Sequence, residues 1–106
     1  MITSGSIQTD ASDALGYYTD VAFWSALIAT ELTVDVADTS VNPLWILECA
    51  ATGAVRLHTN RDRLKRTDVV GIEVASAIAS GAAEAFRTGA PFSVDECDAI
   101  IRRMTP

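Results

Sequence analysis

At 106 residues the chain is long enough for one hydrophobic core and too short for two ordinary domains. An apolar fraction of 49% and a charged fraction of 21% lie near globular averages and exclude wholesale disorder. The net charge of −6 is unevenly placed, because no Lys or Arg precedes Arg56. The first 55 residues carry seven acids (Asp10, Asp13, Asp20, Glu31, Asp35, Asp38 and Glu48), whereas the last 51 hold all eight basic side chains against seven acids. That asymmetry favours basic partners for the N-terminal half.

Met1 to Ser12 mixes small polar residues with few apolar anchors, so residues 1–11 are expected to form a flexible N-terminus and 12–106 a single helical domain. The first helix is expected from Ser12 to Leu32, with Tyr17, Val21, Trp24, Ile28 and Leu32 as its inward stripe. Asp10 and Asp13 favour its start through capping and the helix dipole. Thr33 to Ser40 then mixes β-branched residues with acids and reads as a loop or short extended segment.

Asn42 followed by Pro43 is a helix start signal, since Asn caps free amides and proline is preset for the first helical position. The helix that follows would bury Leu44, Leu47, Ala51, Ala54, Val55 and His58, with Glu48, Thr52 and Arg56 opposite. The alternative is an α+β fold with a β-hairpin at residues 44–59, turning at Ala51, Thr52 and Gly53. Thr67 and Asp68 are candidate caps for a third helix ending at Thr88, with Gly89 and Pro91 as stop signals. Its inward face would combine Val70, Val74 and Ile78 with the small residues Gly71, Ala75 and Ala82. Ser93 and Glu96 form a capping box for a last helix that carries Cys97, Ile100, Ile101 and Met104 on one side. The fold class expected is therefore mainly α, a small bundle of about four helices.

The basic run from Arg56 to Arg66 contains Arg56, Arg61, Arg63, Lys65 and Arg66, a candidate contact for an anion or for the acidic half of another copy. Read blandly, it is a solvated connection between helices. The helix after it lacks the side chains that read base edges, so sequence-specific DNA binding is not expected. His58 is the only histidine and lacks partners at metal-ligand spacing, so a structural role is expected and no metal or other cofactor. Asp95, Glu96 and Asp98 suit a helix N-terminus rather than a catalytic carboxylate pair. Cys49 and Cys97 sit 48 positions apart in apolar contexts, as buried reduced thiols rather than a disulfide framework.

On the first helix, Phe23 and Leu27 form a second apolar ridge beside Asp20 and Glu31. An aromatic anchor bordered by carboxylates suits a protein surface carrying Arg or Lys, and these four residues are the candidate partner-binding site. The competing reading buries the ridge within the domain. The function expected is stoichiometric protein binding, as an inhibitor or immunity-type factor covering a basic or nucleic-acid-binding site on its target. A structural subunit of a homo-oligomeric or phage-type assembly is the alternative, and the titratable groups form no constellation that calls for an enzyme. With no secretory signal pattern and no uninterrupted apolar run of bilayer length, a cytoplasmic protein without membrane contact is expected.

Overall fold

The structure, a computed structural model, describes the backbone of residues 3–106 and the side chains of residues 14–106. The first helix begins at Thr3, so Asp10 and Asp13 lie within it and not at the start they were expected to cap, while the side chains of residues 1–13 lie outside the described ones. Five helices follow one another: α1 (Thr3–Asp35), α2 (Pro43–Thr59), α3 (Arg61–Arg66), α4 (Gly71–Thr88) and α5 (Val94–Met104), with no strand among the described residues. The mainly α expectation holds, and a helix occupies the whole of the segment for which a hairpin was the alternative. The fifth helix is the short α3, formed within the basic run that was expected to be a connection.

Local chemistry accounts for several helix ends. Asn42 Oδ1 accepts a hydrogen bond from the Leu44 N–H at 3.0 Å, and Pro43 fills the first helical position. Gly89 closes α4 in the left-handed region at φ 74°, where a side chain is disfavoured, while the Ala90 N–H donates to the Ala85 carbonyl at 2.9 Å. Asp95 and Glu96 open α5 and Arg102 and Arg103 close it, complementing the helix dipole. Ser93 donates to Glu96 Oε1 at 3.3 Å, but neither side chain bonds the other residue's backbone amide, so the expected capping box is replaced by a contact between the two side chains. Three boundaries differ from expectation. α1 begins at Thr3 and not at Ser12. α1 continues to Asp35 because Leu32 and Val36 are both buried, and packing overrides the weak propensities of Thr33 and Val34. α4 begins at Gly71 rather than beside Thr67 and Asp68, with Val70 exposed at the N-cap.

α2 returns antiparallel to α1, with His58 beside Asp20 and Gly53 beside Ile28. α4 then runs in the same direction as α1, as the sequence of contacts Trp24 to Gly71, Glu31 to Ser76 and Asp35 to Arg87 establishes. α5 packs on α2 and α4 and is tied to α2 by a two-pronged Arg56–Asp98 pair at 2.8 and 3.1 Å. The core joins Ile28 and Leu32 of α1, and Val36 just beyond its end, to Leu57 of α2, Val74 and Ile78 of α4, and Cys97 and Ile101 of α5. Between them lie the buried small residues Ala50, Gly53, Ala54, Ala75, Ala79, Ala82 and Ala83.

The buried face of α2 is not the expected one. Ile46, Cys49, Ala50, Gly53, Ala54 and Leu57 face inward, while Leu44 and Leu47 are 64% and 55% exposed. A Cβ on Gly53 would stand 2.8 Å from Ile78 Cγ2 and 2.9 Å from Ile28 Cδ1, so only glycine permits this approach of α2 to both neighbours. The inward face is selected by interhelical distance and not by side-chain size. Gly53→Ala is expected to destabilise the domain by about 1–3 kcal/mol through overpacking. Gly16→Ala, with nothing within 4 Å of its added methyl, is expected to stabilise it by about 0.5–1 kcal/mol. Chemical denaturation of both variants checks the pair, and equal effects would contradict the packing described.

Candidate protein-contact surface

α1 is 33 residues long, about 50 Å at the rise of an α-helix. From Ala14 to Val34 its only charged residues are Asp20 and Glu31, and both are engaged within the chain. Asp20 Oδ2 lies 2.7 Å from His58 Nδ1, with the Tyr17 ring edge-on to the imidazole at 4.9 Å. Glu31 Oε1 accepts a hydrogen bond from Ser76 at 2.8 Å, while Oε2 is buried with no hydrogen-bond partner among the described residues. The exposed remainder of this stretch is uncharged throughout. It includes Leu15, Tyr18, Phe23 and Val34, with Ala22 and Ala26 between them.

Two of the hydroxyls on this stretch are bonded to the helix itself. Thr30 Oγ1 donates to the Ala26 carbonyl at 2.8 Å and Thr33 Oγ1 to the Ala29 carbonyl at 2.7 Å. Their methyl groups complete the apolar character of the outer face, and covering it would strand neither hydroxyl. Beside the C-terminal end of α1 lies an open groove of about 390 Å³, with Ala29, Thr33, Val36, Ile46 and Leu47 among its walls. Leu44 is exposed on the same helix as Leu47, and the exposed acids Asp38 and Glu48 adjoin groove residues in sequence. Among the described residues neither acid joins an ion pair.

Of the ridge singled out in the sequence, Phe23 is 54% exposed and meets Trp24 edge-on at 4.9 Å, whereas Leu27 is half-buried against the core. Asp20 and Glu31 thus belong to intramolecular pairs. Periodicity missed the stripe of Leu15, Tyr18, Ala22 and Ala26. Its signal was present, since a helix with no charge on its outer side has no evident solvent face.

The basic run is divided. Arg56 is half-buried against Asp98, and Arg63 donates to Thr105 Oγ1 at 2.8 Å and to the Thr105 carbonyl at 3.2 Å. Arg61 is exposed and bonds the His58 carbonyl of its own chain, while Lys65 and Arg66 project into solvent. Arg61 and Lys65 also border an open cleft of about 1060 Å³ with Leu15, Tyr17, Asp20 and Phe23. His58, half-buried between Asp20 and Tyr17, has the structural setting expected of it. Among the described residues no three His, Cys, Asp or Glu side chains gather as a metal site would require, and no helix is long and apolar enough to cross a membrane.

Both cysteines are free and buried. Burial, with Glu48 adding, pushes the Cys49 thiol from 9.0 up to about 11. Burial, with Asp98 and Cys49 adding, pushes Cys97 up to about 12. The folded chain therefore retains these protons to higher pH than the unfolded chain. Their contribution to stability is intact below pH 9 and is expected to fall as pH rises from about 9 towards 12. Denaturation at stepped alkaline pH should register that decline, reduced in the Cys97→Ala variant, and labelling of either native thiol near neutral pH should be slow. Fast labelling of the folded chain would contradict the burial. Comparison with protein-family models, curated proteins and solved structures yields no match for the chain.

Proposed function

We propose that the chain is a protein-binding domain that acts by stoichiometric contact rather than turnover, and that the outer face of α1 with the adjoining Leu44 and Leu47 of α2 is its contact surface. The observation that carries this reading is the absence of any free charge on the exposed side of α1 from Ala14 to Val34 in a protein of net charge −6. Large exposed apolar patches mark interaction surfaces, and the Thr30 and Thr33 hydroxyls of this one need no hydrogen bond from a partner. Its chemistry is that of an interface centre, with aromatic anchors and charge pushed to the edge.

Asp38 and Glu48 supply that edge at the groove end. They would steer a partner with a basic surface, as an inhibitor or immunity-type factor covering a basic or nucleic-acid-binding site would require. Phe23 would supply buried contact, while Asp20 and Glu31 hold α1 to α2 and α4.

The test is capture of the cellular partner with photo-cross-linking, comparing wild type with Ala26→Glu and Glu48→Lys. Ala26 and Glu48 are exposed, so both variants should keep wild-type stability to within about 0.5 kcal/mol. Ala26→Glu should abolish capture, and Glu48→Lys should slow association and weaken its salt dependence. Unchanged capture by a folded Ala26→Glu chain would remove the α1 face from the interface.

A further inference from the structure

The outer stripe of α1 has a size pattern that matches its own reverse. Leu15 and Tyr18 are large and 68% and 69% exposed, while Ala22 and Ala26 are small and exposed and Ala29 is small and half-buried. Position by position, an antiparallel copy of α1 turned about a two-fold axis at Ala22 sets Tyr18 against Ala26 of the partner subunit and Leu15 against Ala29 of the partner subunit. Both large side chains of the stripe then meet an alanine, and the two Ala22 residues meet at the axis, where small side chains allow close helix approach. Ala29 and Thr33 form one wall of the 390 Å³ groove, which gives an incoming leucine room to enter.

Electrostatics selects the same face. Two molecules of charge −6 repel, and an isologous contact brings each residue near its own copy or a symmetry mate. A face bearing acids would therefore place like charges together. The exposed side of α1 has none between Ala14 and Val34, and antiparallel packing also sets the two helix dipoles in opposition. The self-bonded hydroxyls of Thr30 and Thr33 can be covered without loss.

We infer that in the free protein the outer face of α1 is occupied by a second copy of this chain, paired antiparallel about a two-fold axis at Ala22. The inference rests on reading that face as a contact surface, and it names the occupant.

Sedimentation velocity of the full chain should give a dimer with a Kd on the order of 1–10 µM. Its stability should change little between about 0.1 and 1 M NaCl, because the contact is apolar. Ala22→Glu or Ala26→Glu should weaken dimerisation at least roughly tenfold, with helicity by circular dichroism unchanged. Arg102→Glu, at an exposed site on α5, should leave it intact. Ala22→Cys is the positive control: oxidised glutathione should link two chains through it, whereas the exposed site Ser80→Cys on α4 should give no covalent dimer.

A monomeric wild type overturns the inference, as does a dimer that survives Ala26→Glu or dissolves in salt. If the wild type is monomeric but loses its cellular partner on Ala26→Glu, the second copy is wrong and the contact surface stands. If Ala26→Glu alters neither association nor capture, both readings fall.

Discussion

Three helices converge at Gly53. With no Cβ there, α2 settles against Ile28 of α1 and Ile78 of α4 closely enough that an added methyl would overlap both. That approach fixes the rotation of α2, and much else follows from the rotation. Leu57, Cys49 and Ile46 turn inward, Leu44 and Leu47 turn out, and Arg56 is carried to Asp98 on α5. His58 arrives at Asp20, so the same rotation decides that a carboxylate on α1 is held inside the chain. The uncharged exterior of α1 is thus partly a product of where α2 sits.

The two surviving surface classes have different physical consequences. On α1 the exposed side is uncharged and largely apolar, and the Thr30 and Thr33 hydroxyls are bonded to their own helix, so water gains little from staying there. On α3 to α5 exposed acids and bases are interspersed: Asp62, Lys65, Arg66, Asp68, Glu73, Glu84, Arg87, Asp95, Glu96, Arg102 and Arg103. A mixed charged surface favours solvation and discourages association. The long dimension of 57 Å against 31 and 19 Å reflects the length of α1, whose outer side neither α2 nor α4 covers.

What could be read from the sequence was what is encoded within a few residues. Asn42 with Pro43, Gly89 and the charged ends of α5 each act on neighbouring backbone groups, and each marks a helix end as expected. The facing of α2 could not be read that way, because the helix is apolar on two sides and periodicity weights leucine above glycine and alanine. The close approach reverses that weighting. Asp20 and Glu31 looked free for the same kind of reason, since their partners lie 38 and 45 residues away. For the candidate surface the sequence held a negative signal, the missing charge, which becomes meaningful only once the fold establishes which side of α1 is open.

Ala50, Ala54, Ala75, Ala79, Ala82, Ala83 and Ala85 make up much of the buried set. Alanine has no rotamers to lose, so ordering these positions costs almost no side-chain entropy, where a buried leucine or isoleucine costs about 0.5–1 kcal/mol. The interior is thereby assembled with little apolar volume and a small entropic debt. Such a core has no slack in the other direction. Glycine is the one smaller residue these sites could take, at about 0.5–1 kcal/mol in a helix interior, and a larger one must displace close-packed neighbours, so change in the interior falls most readily on the few large side chains that surround the alanines.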